Sequence, residues 1–217
     1  QSDLAPYATT QQVEAAAAAL AAHTNRTDNP HGVTAAQIGA LTAEQDLAAL
    51  RTYHYGSPDI VESPAEWFGF DGAGTITGFN WAEGRENVVI PWAIGGVPVT
   101  AIRAGAFSIS DIVSVIAPQT VTMIGDYAFA SCMSLASVSL PQAQTVGVGA
   151  FESCYSLASV LLPQVQTVGD SAFYYCNALA SAVIPQATTI GGSAFADCYS
   201  LASVSLPQAT SIGDYAF

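Results

Sequence analysis

Four cysteines fall at Cys132, Cys154, Cys176 and Cys198, each 22 residues after the one before. A row of thiols at constant spacing can form disulfides, bind a metal, or simply pack. Successive units stacked like paired strands, about 5 Å apart, would bring their cysteines within the Cα range of a disulfide. A thiolate row would also suit a soft metal ion. Yet the sequence has no C-x-x-C, and each cysteine stands three residues before a leucine. That regularity marks a packing position, where a free thiol buries as a small hydrophobe. Buried free thiols are the expected state, with disulfides and a metal row as the alternatives. The histidines, His23, His31 and His54, lack H-E-x-x-H spacing and are expected in turn and surface roles. Asp126, Asp170 and Asp214 share one place in the unit, but Val148 and Gly192 interrupt the column and the calcium pattern G-G-x-G-x-D is absent. Helix capping is their expected role. No acidic pair stands out as glycosidase machinery. Gly95-Gly96 reads as a hairpin-like turn and not a phosphate loop. The sequon Asn25-Arg26-Thr27 matters only in a eukaryotic secretory setting. The sequence therefore predicts no catalytic residue, no metal site and no cofactor.

The elements that carry these residues repeat. Phe107, Phe129, Phe151, Phe173, Phe195 and Phe217 keep the same step of 22, as do Leu135, Leu157, Leu179 and Leu201. Pro141, Pro163, Pro185 and Pro207 follow suit, with Gly125, Gly147, Gly169, Gly191 and Gly213. One unit runs I-G-D-Y-A-F-A-S-C-M-S-L-A-S-V-S-L-P-Q-A-Q-T from Ile124 to Thr145. Within it Val138 and Leu140 alternate with Ser137 and Ser139, the pattern of a half-buried strand. Pro141 has no amide to donate and ends it. Val146 returns the chain to the core, and the next glycine permits a tight corner. The A-F-x-x-C stretch is long enough for one helical turn. A lone unit of this size cannot bury enough to offset its ordering, so units must stack. A period of 22 lies in the leucine-rich-repeat range. The expected fold is a curved leucine-rich-repeat solenoid of short parallel strands and short helical turns, with a strand ladder on one face.

Composition narrows the partners. The 217 residues are 51% hydrophobic and only 10% charged, with a net charge of −13 and no lysine. The four basic residues are Arg26, Arg51, Arg85 and Arg103. Such a surface repels phosphate backbones and anionic membranes, so nucleic acid is a poor partner. No apolar run reaches 18 residues, and no membrane insertion is expected. The Ala15–Ala22 stretch lacks a basic flank and reads as helix, not as a signal peptide. The low charge, with Ser, Thr, Gln and Asn as the polar load, suits an extracellular, cell-surface or virion-exposed protein. The chain starts at Gln1 and stops at Phe217 inside a repeat, which is read as an excised fragment or processed product.

The pattern I-G-x-x-A-F-x-x-C-x-x-L-x-x-V-x-L-P resembles the BspA-like, or Treponema-type, leucine-rich repeats of bacterial surface proteins. Phe68–Phe79 and Val88–Ile102 look like that family's N-terminal capping strands, so the resemblance covers residues 68–217. It implies a surface adhesin or interaction protein without catalysis. Most units of the family carry one more residue and a V-T-x-I-G return. Only Val121–Gly125 keeps that form, so curvature can differ.

Three domains are expected: a helical segment over 1–60, capping strands with a β-hairpin over 61–101, and the solenoid over 102–217. In the first, Thr9 with Gln12, Thr34 with Gln37 and Thr42 with Gln45 have capping-box spacing. They predict short helices near 10–23, 34–39 and 43–53, with turn chemistry from Thr24 to Pro30. Their apolar positions, Val13, Leu20, Ile38, Leu41, Leu47 and Leu50, are too sparse for an independent core. The segment either covers the first repeat or self-associates. Asn29–Ala40 (N-P-H-G-V-T-A-A-Q-I-G-A) resembles a string of phage tail-fibre proteins, which implies a homotrimer through residues 1–60.

Positions that vary while the frame stays fixed are the candidates for contact with a protein or glycan ligand. On the strand face these are Ser137, Ser139, Ser159, Leu161, Ser181, Val183, Ser203 and Ser205. Beside the helical turn they are Met133, Tyr155, Asn177 and Tyr199, with Tyr174 and Tyr175. Aromatic and small polar side chains suit adaptable recognition; ordinary solvent-exposed repeat positions are the alternative. The expected function is a non-enzymatic binding scaffold or adhesin at a bacterial cell surface. A phage tail receptor-binding component and a ligand-free structural spacer are the other readings.

Overall fold

The computed structural model of the chain describes His54 and residues 60–217. Two compact units divide it, one of residues 1–60 with 95–97 and one of 61–94 with 98–217. The expected helices of residues 1–53, the tail-fibre-like string, His23, His31 and the sequon lie outside the described residues. His54 is 3% exposed, so its expected surface role gives way to burial.

The second unit is a solenoid. A single 3-10 turn, Ala65–Trp67, leads into Phe68–Phe70 (β1) and Thr75–Phe79 (β2), which pair antiparallel. Asp71 closes their connection by accepting from the Ala73 and Thr75 amides, which holds its carboxyl below the usual range. Next come Asn87–Val89 (β3) and Ala93–Ile94 (β4). Gly95 and Gly96 then turn with φ of 60° and 83° into Val97–Pro98 (β5). The remaining strands alternate between two sites in every coil. Ala101–Ile102 (β6), Met123–Ile124 (β8), Thr145–Val146 (β10), Thr167–Val168 (β12), Thr189–Ile190 (β14) and Ser211–Ile212 (β16) continue in parallel from β2. Ser114–Ile116 (β7), Ser137–Ser139 (β9), Ser159–Leu161 (β11), Ser181–Val183 (β13) and Ser203–Ser205 (β15) form the other site, as the sheets β3-β7-β9 and β11-β13-β15.

The expected single ladder is therefore corrected to two. The longer one is built from two-residue strands, too short for alternation to register in sequence. In it Ile76, Ile102, Ile124, Val146, Val168 and Ile190 lie in register, each side chain at most 1% exposed. The core between the ladders is one column per sequence position. Phe79, Phe107, Phe129, Phe151, Phe173, Phe195 and Phe217 stack face to face at 4.9–5.5 Å between centroids. Leu135, Leu157 and Leu179 are fully buried beside them. The stacking of units that the period required is thus observed.

The A-F-x-x-C stretch is not helical, which corrects the expected helical turns. Its amides alternate. Ala128, Ala130 and Cys132 donate three residues back, to Gly125, Tyr127 and Phe129. Tyr127, Phe129 and Ser131 donate instead to Val148, Ala150 and Glu152 of the next coil at 2.7–2.8 Å. A helix would spend those amides internally; here they tie coils together. The geometry requires left-handed backbone at two points per coil, Tyr127 (φ 54°) and Ser131 (φ 58°) in this one. Each costs about 1–2 kcal/mol for a residue other than glycine, which the inter-coil bonds offset.

Two smaller expectations change with it. Asp126 and Asp170 do not cap helices: their Oδ1 atoms accept from the Val148 and Gly192 amides one coil on, at 2.8 and 2.7 Å. The recurrent glycine is not required by a corner either. A Cβ on Gly125, Gly147, Gly169, Gly191 or Gly213 would stand 2.4–2.6 Å from an atom of the coil before, in four of the five cases a backbone atom. Close approach of coils, not a special φ, demands glycine there.

Candidate recognition surface

The cysteine row resolves into packing. All four thiols are free and buried. Cys132, Cys154, Cys176 and Cys198 donate to the carbonyls of Phe107, Phe129, Phe151 and Phe173 at 3.1–3.2 Å. Cys132 also meets the Ser110 hydroxyl at 3.4 Å. Burial pushes the Cys132 and Cys154 thiols up, and the neighbouring Cys198 thiol followed by burial does so for Cys176. At Cys132, Cys154 and Cys176 a protonated, carbonyl-bound thiol is neither nucleophile nor metal ligand, whereas the hydrogen bond from Cys176 holds the Cys198 thiol below its ordinary value. Among the described residues no three His, Cys, Asp or Glu side chains come together in a group that could hold a metal.

What faces outward is organised by the ladders. The strands β11, β13 and β15 bring Ser159, Ser181 and Ser203 into one row and Leu161, Val183 and Ser205 into another. Leu161 is 61% exposed and Val183 39%. Ser137 and Ser139 are exposed on β9, paired with Ser114 and Ile116 of β7. The ladder breaks between β9 and β11, so the eight strand-face candidates fall on two sheets, six of them together on one. Thr145, Thr167, Thr189 and Ser211 form a further exposed row on the longer ladder. Sequence reasoning passed over it because it missed that ladder; the T-V/T-I doublet at period 22 was the available signal.

The corner before β9, β11, β13 and β15 carries the other candidates. Met133, Tyr155 and Tyr199 are exposed there, while Asn177 is half-buried. Tyr174 and Tyr175 touch with centroids 4.3 Å apart. Tyr199 donates its hydroxyl to Asp197 at 3.2 Å, which holds the Tyr199 phenol above its usual range. The Tyr174 phenol is pushed up to about 12, first by its hydrogen bond with Tyr175. The sequence reading missed Asp197 and Glu152. Each lies one period from a candidate tyrosine, Asp197 after Tyr175 and Glu152 before Tyr174. At the opposite end of the unit Arg85 lies over the Trp67 ring, 4.8 Å from its centroid.

Two parallel ladders, an aromatic column and a 22-residue coil define a leucine-rich-repeat solenoid. Six copies of the BspA type Leucine rich repeat region match residues 100–217, and the chain belongs to that family. Its fold is similar to a leucine-rich-repeat protein of T. pallidum, with 27% identity, a TM-score of 0.54, and 70% of this chain and 86% of that one covered. It is also similar to a leucine-rich cell surface protein of Faecalibacterium prausnitzii, at 27% identity and TM-score 0.60, over 73% of this chain and 52% of that one. A leucine-rich-repeat protein of Bacteroides ovatus matches at 31% identity and TM-score 0.58, over 69% of this chain and 41% of that one. The chain thus spans about half or less of the last two. No curated protein matches. Among the described residues no helix is long and apolar enough to cross a membrane.

Proposed function

We propose that the chain is a non-enzymatic binding scaffold, an adhesin-type module that presents its solenoid surface to a protein or glycan at a bacterial cell surface. The observation that carries this reading is the contrast between frame and surface. Buried columns repeat almost residue for residue, and the outward row Ser159, Ser181 and Ser203 is constant, whereas the row Leu161, Val183 and Ser205 and the corner positions change from coil to coil. A solenoid frame holds such positions rigidly, so little entropy is lost when a ligand engages them. The similarity to a cell surface protein of F. prausnitzii supports the location. A virion tail component that contacts host cells is a second reading, favoured by the string Asn29–Ala40.

A glycan and protein array with the whole chain tests the scaffold reading. Ligands are expected whose signal falls at least fivefold when Leu161→Asp and Val183→Asp are introduced together. No ligand on either array would leave a spacer as the better description.

A further inference from the structure

The corner on coils 152–155, 174–177 and 196–199 gathers four tyrosines and two carboxylates. Hydrogen bonds between coils fix how they adjoin. Ser153 donates to the Tyr174 carbonyl at 2.8 Å, Tyr175 to that of Ala196 at 3.1 Å, and Ala178 to that of Tyr155 at 3.2 Å. The phenylalanines beneath set the coil spacing at 5.1–5.3 Å. Glu152 and Tyr174 are therefore successive rungs, as are Tyr175 and Asp197, and Tyr155, Asn177 and Tyr199 complete a third row. Tyr199 is 75% exposed and Tyr155 40%. Asn177 Oδ1, in the middle of the third row, is buried without a hydrogen-bond donor.

Charge singles out a guest. After Arg103 the chain has six carboxylates and no basic residue, so the field over the corner has one sign and attracts cations. Tyrosine faces backed by carboxylates bind ammonium and guanidinium groups through cation–π and ionic attraction together. The chain already uses this contact internally, where Arg85 lies over Trp67.

Building on the scaffold reading, we infer that the corner formed by Glu152, Tyr155, Tyr174, Tyr175, Asp197 and Tyr199 is a docking site for a lysine- or arginine-rich segment of a partner protein. The guest's cationic heads lie over the tyrosine rings, and its side-chain nitrogens donate to Asp197 and Glu152. A neutral glycan could stack on the same rings and donate hydroxyls to the carboxylates, but it carries no charge for the one-signed field to attract.

Titration calorimetry of the whole chain with a synthetic twelve-residue Arg-Gly repeat peptide tests this at low salt, with a Glu-Gly peptide as the counterpart. Binding of the Arg-Gly peptide alone is expected. Asp197→Asn combined with Tyr199→Ala should weaken it at least tenfold. Glu83→Gln, an equal charge change on an exposed residue of the N-terminal part, should alter it less than twofold. Circular dichroism confirms that each variant is folded. Equal losses from Glu83→Gln and from the corner variants would overturn the site, since the attraction would then belong to the whole surface. Absence of peptide binding in a chain that still captures ligands on the arrays would overturn this inference and leave the scaffold reading standing.

Discussion

Gly191 and Gly192 are adjacent in the chain but face opposite demands, and alanine at each separates them. A Cβ on Gly191 would stand 2.4 Å from the Asp170 amide nitrogen, 2.5 Å from Asp170 Oδ1 and 2.5 Å from the Gly169 carbonyl carbon. Two of the three are backbone. That backbone is held by Gly169 donating to Val146 and Gly191 to Val168, each at 2.8 Å. The clash cannot be relieved by a rotamer, so coils must separate and ladder bonds must stretch. Forced overpacking of this kind costs about 3 kcal/mol. A Cβ on Gly192 meets nothing nearer than the Asp214 carbonyl oxygen at 3.3 Å, and Asp170 and Val148 occupy the equivalent place one and two coils earlier. Alanine there also restricts the unfolded chain, a gain of about 0.4–1 kcal/mol that the mild crowding reduces. The difference of about 3 kcal/mol corresponds to roughly 6–12 °C in melting temperature for a chain of this size. The assay is far-UV circular dichroism during thermal and urea unfolding. Tryptophan fluorescence is the wrong probe, because Trp67, Trp81 and Trp92 all lie far from this coil in sequence. Gly169→Ala, whose Cβ would meet backbone at 2.6–2.8 Å, should repeat the Gly191→Ala loss. Equal stability of Gly191→Ala and Gly192→Ala would refute the reasoning, because coil approach would then not be what glycine serves.

Other perturbations probe the remaining columns. Phe151→Ala removes one ring from the middle of the stack and should lower stability by about 3–5 kcal/mol in urea unfolding. Ser153, at φ 58°, should lose about 2 kcal/mol as Val, whose branched Cβ resists left-handed backbone, and lose nothing as Gly; thermal melts read both. Asp126→Ala leaves the Val148 amide without its 2.8 Å acceptor and should cost about 1 kcal/mol, while Asp126→Asn keeps most of it. The Cys132 and Cys154 thiols are raised above the ordinary 9.0 by burial, so the folded state holds protons that the unfolded state releases. Their contribution is whole below pH 9 and should fall by about 1.4 kcal/mol per pH unit per thiol above it. Urea midpoints between pH 8 and pH 10.5 measure this, and a Cys132→Ala/Cys154→Ala variant should show a shallower decline.

The period, the buried columns and the exposed serines were legible in the sequence because each is a one-dimensional fact. A residue that recurs every 22 positions and is apolar must face the interior of a stack. Phe129, Leu135 and Cys154 could be placed on that ground alone. So could the free state of the thiols, since one cysteine per coil at a core position packs before it reacts. What stayed hidden were the relations between coils. Whether the Phe129 amide closes a helical turn or reaches Ala150 depends on a neighbour that only the stacked fold supplies, and the local pattern A-F-x-x-C fits either. The Asp126 carboxylate finds its amide 22 residues on, not two or three. Gly191 owes its identity to the backbone of Gly169 and Asp170, where sequence offered only a corner to explain it. Arg103 holds that same column before Gly125, and its neighbour below is β2 of the antiparallel hairpin, not a repeat. Likewise the pairing of Tyr175 with Asp197 comes from register between coils. Sequence determined what is buried, because burial follows from residue type and spacing. Tertiary structure decided what each backbone group bonds to and which surface residues adjoin, because both depend on the distance between chains stacked about 5 Å apart.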